Sequence, residues 1–121
     1  MSMVSIVEIP VADLSRAKKF YQATLSVPIE EVEMGETLMG LFQGDEDSVN
    51  VALVKGEGYS PSAGGAVIYF SAGKDLQPIL DKAAQHGGQV LVPKTQISPE
   101  MGFFALFTDP EGNRMGLHSL G

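Results

Sequence analysis

The 121 residues suffice for one ordinary domain, and a chain of this size buries roughly two-thirds of the surface that its unfolded form exposes. Eight Lys and Arg against fifteen Asp and Glu give a net charge of −7, which repels a phosphate backbone and argues against nucleic-acid binding. There is no cysteine, so disulfides, thiolate metal ligands and a cysteine nucleophile are excluded, and no apolar run reaches the ~18 residues of a bilayer span.

The N-terminal stretch 1–14 has no basic region followed by a cleavable apolar segment, so it reads as mature protein, with cytoplasmic residence as the expectation. Met3 to Pro10 is short and rich in β-branched residues, which predicts a strand ending at the proline. Asp13 is placed to N-cap a helix. Leu14, Ala17, Phe20, Tyr21, Thr24 and Leu25 then recur at the helical spacing of a core-facing stripe that ends before Pro28. Three strand-like runs come next, Ile29 to Met34, Thr37 to Gln43 and Ser48 to Lys55. They are separated by Gly35-Glu36 and by Gly44-Asp45-Glu46-Asp47. The acidic clusters at Glu30, Glu31, Glu33, Glu36 and at Asp45 to Asp47 read as solvated surface.

The segment from Gly56 to Gly65 is rich in glycine, serine and proline and reads as a connecting loop. Beyond it the order repeats. Ala66 to Ser71 predicts a strand, and Asp75-Leu76 opens a helix in which Pro78 is tolerated in the first turn and Gly87-Gly88 closes the end. His86, in the last turn, suits the negative end of the helix dipole. Gln89 to Val92, Phe103 to Thr108 and Arg114 to His118 predict three further strands, with 93–102 left as a loop and Asp109-Pro110-Glu111-Gly112 as a type I turn. The two halves, about 1–56 and 64–121, are each β-α-β-β-β. The prediction is a single α+β domain of two βαβββ repeats, forming a curved mixed sheet around a cleft, with the cleft as the natural ligand site.

The segment Ile9-Pro10-Val11-Ala12-Asp13-Leu14 through Phe20-Tyr21, the doubled βαβββ order and the ending Phe107-Thr108-Asp109-Pro110-Glu111-Gly112-Asn113-Arg114-Met115-Gly116-Leu117 resemble the vicinal oxygen chelate superfamily, which includes glyoxalase I, the bleomycin-resistance proteins and extradiol dioxygenases. The resemblance spans nearly the whole chain. It implies a divalent metal held by His, Gln or Glu side chains on the first and last strand of each repeat. In this sequence those positions fall on Ile6, on Val51 to Leu53 with Asn50 nearby, on Ala66, Val67 or Ile68, and on Gly116. None of the four offers a usual ligand, so the expectation is no metal and no cofactor.

Alternation along a strand puts Glu8 on the face of Ile6 and His118 on the face of Gly116 and Arg114. The resemblance implies that Glu8 and His118 face the cleft, where they are the candidate catalytic pair for proton transfer. The structural alternative is a Glu8 held by backbone amides or by Arg114 and a His118 partly in solvent. Tyr59, Tyr69, Arg114 and Phe42 are the candidate cleft-lining residues, with core packing as the competing role for the aromatic rings. Two functions are expected, with a partner-binding or regulatory module whose cavity is vestigial as a third. One is a small-molecule-binding protein of the glyoxalase/bleomycin-resistance type that works without the usual metal. The other is a lyase or isomerase of the glyoxalase type with Glu8 as base, with or without a displaced divalent metal that His118 would join. The resemblance also implies a homodimer.

Overall fold

The structure is a computed structural model and describes residues 3–44 and 48–121. The turn read at Gly44 to Asp47 and the acidic cluster Asp45 to Asp47 therefore lie largely outside the described residues. The elements run β1 (Ile6–Pro10), α1 (Leu14–Leu25), β2 (Ile29–Met34), β3 (Thr37–Phe42), β4 (Asn50–Lys55), β5 (Ile68–Ser71), α2 (Gln77–Gln85), β6 (Gln89–Ser98), β7 (Gly102–Thr108) and β8 (Arg114–Ser119). They form two compact units that divide between Pro61 and Ser62, inside the stretch read as a linker. Among the described residues no helix is long and apolar enough to cross a membrane.

The first unit is a four-stranded mixed sheet in the order β1-β4-β3-β2, in which β1 and β4 are parallel and the other pairs antiparallel. The second repeats the pattern as β5-β8-β7-β6, with β5 and β8 parallel. The duplication read from the order of elements is thus a duplication of topology. Each helix lies against one face of its own sheet because its apolar stripe must be buried. In the first unit Leu14, Ala17, Phe20 and Tyr21 of α1 are buried together with Ile9, Leu53 and Val54. In the second, Leu76, Leu80 and Ala83 are buried together with Ala105, Phe107, Met115 and Leu117.

Local chemistry fixes the ends of the elements. Asp13 Oδ1 accepts from the Arg16 N–H at 3.0 Å, the N-cap bond expected of that residue. Helix α1 closes on Ser26 in the left-handed region, its N–H donating to the Gln22 carbonyl. Helix α2 starts at Gln77, two residues after the predicted Asp75. Asp75 still serves the start of the helix, accepting from the Gln77 N–H at 3.0 Å and from Lys94 Nζ at 2.8 Å. His86 stands at the C-cap of α2, and its backbone N–H donates to the Lys82 and Ala83 carbonyls.

Among the boundaries that differ from the sequence reading, three strand limits have a pairing cause. Strand β1 starts at Ile6 rather than Met3, because β4 begins opposite it at Asn50. Strand β5 starts at Ile68 rather than Ala66, because its partner β8 begins only at Arg114, while Ile68 already pairs with Met115. Strand β6 runs on through Pro93 to Ser98 where a loop was expected. It is an edge strand, where a proline without an N–H costs no ladder bond if that side faces away from β7, and its register shifts between Val90 and Val92, Val92 and Thr95, and Gln96 and Ser98.

Candidate functional site

The register of the second sheet decides which side chains stand side by side. Ser71 of β5 pairs with His118 of β8, which in turn pairs with Phe104 of β7. One step along, Tyr69 pairs with Gly116, and Gly116 with Leu106. Alternation places these two rows on the face turned away from the buried Phe107, Met115 and Leu117. On that face Tyr69, Ser71, Ile97, Met101, Phe104 and His118 line an open pocket of about 320 Å³. Three of these six residues carry rings, and none is a lysine, arginine or carboxylate.

Gly116 shapes one side of the pocket. A Cβ there would come within 2.6 Å of Cε2 and 2.8 Å of Cγ of Tyr69, and closer still to Cδ2, so the tyrosine ring lies directly on the glycine backbone. His118 shapes another. Its Nε2 lies 2.6 Å from the Met101 carbonyl, which can only accept, so Nε2 carries the proton. In the neutral ring Nδ1 is then an acceptor, and among the described residues no hydrogen bond reaches it. The bond ties β8 to the β6–β7 turn, which is itself closed by the Met101 N–H donating to Ser98 Oγ at 2.9 Å.

Glu8 belongs to the first unit. It is exposed, and its Oε1 accepts from the Tyr59 hydroxyl at 2.7 Å. That bond, which is lost if the phenol ionises, is the main cause holding the Tyr59 hydroxyl above the ordinary tyrosine range; desolvation and the charge of Glu8 add to it. Sequence reasoning named both residues without pairing them, since they stand 51 positions apart. Phe42 packs its ring against Tyr21 of α1, with centroids 5.6 Å apart, which is a packing contact within the first unit. Arg114 is exposed at the start of β8. Ile97, Met101, Phe104 and Ser71 were not singled out as lining residues. Ile97 and Met101 fell in the stretch read as a loop.

The metal positions implied by the resemblance can be tested on the donor chemistry. In the first unit the register sets Asn50, not Val51 to Leu53, opposite Ile6. In the second it sets Tyr69, not Ala66 to Ile68, opposite Gly116. An alkyl chain, an amide, a phenol lying flat on a glycine, and the glycine itself do not make the His, Gln and Glu set that holds a divalent ion. Among the described residues no three His, Asp or Glu side chains are grouped to hold one elsewhere. The residues present do not fit the group.

The two motifs that carry the resemblance have structural roles. Asp13 caps α1. In the second motif the buried Asp109 accepts at Oδ1 from the N–H groups of Glu111 and Asn113, both at 2.9 Å, and at Oδ2 from Asn113 Nδ2 at 3.1 Å. Asn113 Oδ1 accepts from the Ser62 N–H at 3.0 Å, so the turn before β8 anchors the start of the second unit.

The fold is shared with solved structures at low identity. A glyoxalase/bleomycin resistance protein from Albidiferax ferrireducens superposes with a TM-score of 0.78 at 20% identity, covering 98% of each chain. A glyoxylase/bleomycin resistance protein/dioxygenase domain from Frankia gives 0.78 at 18% identity, also covering 98% of each chain. A point mutant of glyoxalase I from Zea mays gives 0.71 at 19% identity over 96% of this chain. This chain spans only 46% of that enzyme's length. No curated protein matches the chain. The model of the Glyoxalase/Bleomycin resistance protein/Dioxygenase superfamily matches residues 3–117. With nearly its whole length matched, the chain belongs to that superfamily.

Proposed function

We propose that this chain binds a small molecule in the apolar pocket of its second unit, without the divalent metal of its metal-dependent relatives. The observation that carries the reading is the Tyr69 ring lying on Gly116, which turns a metal-ligand position into a pocket wall. A volume of about 320 Å³ lies at the lower end of the ~300–1,000 Å³ range of ligand sites, so the ligand is small. The molecule is expected in the cytoplasm as a homodimer, a state that sedimentation velocity checks directly.

The test is a thermal-shift screen of metabolites and drugs on chelator-treated protein, repeated on Phe104→Ala. A ligand at about 100 times its dissociation constant stabilises the folded state by about 2.7 kcal/mol. The expected result is saturable stabilisation by at least one compound, unchanged by chelator and lost in Phe104→Ala. No saturable shift across a broad panel, or one that requires added metal, overturns the reading.

The lyase or isomerase alternative has one observation in its favour. Tyr59 occupies Oε1 of an exposed Glu8 and leaves Oε2 to take a proton. Hemithioacetal turnover that falls in Glu8→Gln supports it, and no Glu8-dependent turnover defeats it.

A further inference from the structure

Building on the small-molecule reading of the second-unit pocket, we infer that its ligand is an uncharged aromatic compound bearing an N–H or O–H, which donates to Nδ1 of His118. Four observations lead there. The first is size. A cavity of about 150 Å³ already admits benzene, so an open pocket of about 320 Å³ has room for one ring or two fused rings. The second is shape and surface. Tyr69 and Phe104 supply aromatic rings and Ile97 and Met101 supply soft apolar contact, which suits a flat apolar body.

The third is charge. No lysine or arginine lines the pocket to receive a carboxylate or phosphate, and the net charge of −7 adds to the repulsion of an anion. No carboxylate lines it to receive an ammonium group either. The fourth is the polarity of the one ring nitrogen that remains. The Met101 carbonyl commits Nε2 of His118 as donor, so the neutral ring meets a ligand as an acceptor through Nδ1. A ligand that buries Nδ1 without a donor would leave it unsatisfied, and a donor is therefore selected. The Ser71 hydroxyl, on the residue paired with His118, can serve either role and does not change the sign of this preference.

The test uses four probes that share a bicyclic ring, namely indole, 1-methylindole, indole-3-acetate and tryptamine. Dissociation constants are measured by titration calorimetry, and the ¹⁵N resonance of the His118 imidazole is followed in the unmodified protein. Indole is expected to bind about threefold to tenfold more tightly than 1-methylindole, the range of one neutral hydrogen bond, with indole-3-acetate weakest. The Nδ1 resonance is expected to move with indole and not with 1-methylindole. In His118→Phe, which keeps a ring and removes the acceptor, indole and 1-methylindole are expected to bind alike. The selectivity and the resonance are both read on the native chain, so the inference stands or falls without the variant.

Equal binding of indole and 1-methylindole, or tighter binding of indole-3-acetate or tryptamine than of indole, overturns the inference. If none of the four binds while another compound gives Phe104-dependent stabilisation, the ligand class is wrong and the pocket reading survives. If nothing in the wider panel binds, the pocket reading fails and takes the ligand class with it.

Discussion

Replacing Gly102 by alanine is expected to destabilise the protein more than the same change at Gly112, and the difference isolates a single contact. Both glycines have left-handed backbone, with φ of 86° at Gly102 and 89° at Gly112, so alanine costs about 1–2 kcal/mol at each from backbone geometry alone. At Gly112 a new Cβ meets nothing within 4 Å. At Gly102 it would lie 3.0 Å from Leu120 Cα and 3.2 Å from the Ser119 carbonyl carbon, and nearer still to the Ser119 oxygen. These are backbone atoms of the neighbouring strand and its extension. They cannot swing aside as the end of a side chain can, so relief requires β7 and β8 to part locally, at about 1–3 kcal/mol for an overpacked site. Gly112→Ala should therefore cost about 1–2 kcal/mol and Gly102→Ala about 2–5 kcal/mol. Urea denaturation of the two variants and the parent protein measures this, with unchanged m-values as the control that the same transition is compared. Equal losses in the two variants, or a loss below about 0.5 kcal/mol for Gly102→Ala, would refute the reasoning, since surface changes fall in that range without any such contact.

Other consequences can be measured separately. Asp13→Ala removes the acceptor of the Arg16 N–H and is expected to cost about 1 kcal/mol in the same denaturation assay. Tyr59 is expected to ionise above the ordinary tyrosine range in an ultraviolet phenolate titration, and Glu8→Gln should bring it back toward that range. Because its folded value is raised, the stabilisation from its bond to Glu8 is present below the ordinary tyrosine range and is lost as pH rises through the raised value. Asp75 has the opposite sign. The Lys94 ammonium first, and the Gln77 N–H second, hold its carboxyl below the ordinary aspartate range. Its contribution is present above that range and disappears as pH falls through the lowered value. The melting-temperature difference between the parent and Asp75→Asn should accordingly be seen at neutral pH and close on acidification, and a difference that persists in acid would contradict the assignment.

The order of elements was legible because its signals are local. A cap at Asp13, a helical stripe from Leu14 to Leu25 and a turn at Asp109 to Gly112 each depend on residues a few positions apart. The pocket was only partly legible because its geometry depends on register. The facing of Tyr69 and Gly116 comes from where β8 begins, and the bond from His118 to Met101 joins residues 17 positions apart. Strand β6 was cut short for a related reason. Pro93 reads as a breaker to anyone who cannot see that it stands at the edge of a sheet. The same locality explains what the family motifs do in the fold. Asp13, Asp109 and Asn113 satisfy backbone groups at the ends of elements, and those bonds are needed whatever the sheet face between them binds.

The irregular β6 has a bearing on edge-to-edge strand pairing. Ten residues of edge strand carrying the exposed Val90, Leu91 and Ile97 would ordinarily be a template on which another chain could grow. Three register shifts and Pro93 make that template irregular, and Lys94 sets a charge in the middle of it. The features that hid this strand from a sequence reader also hide it from other strands.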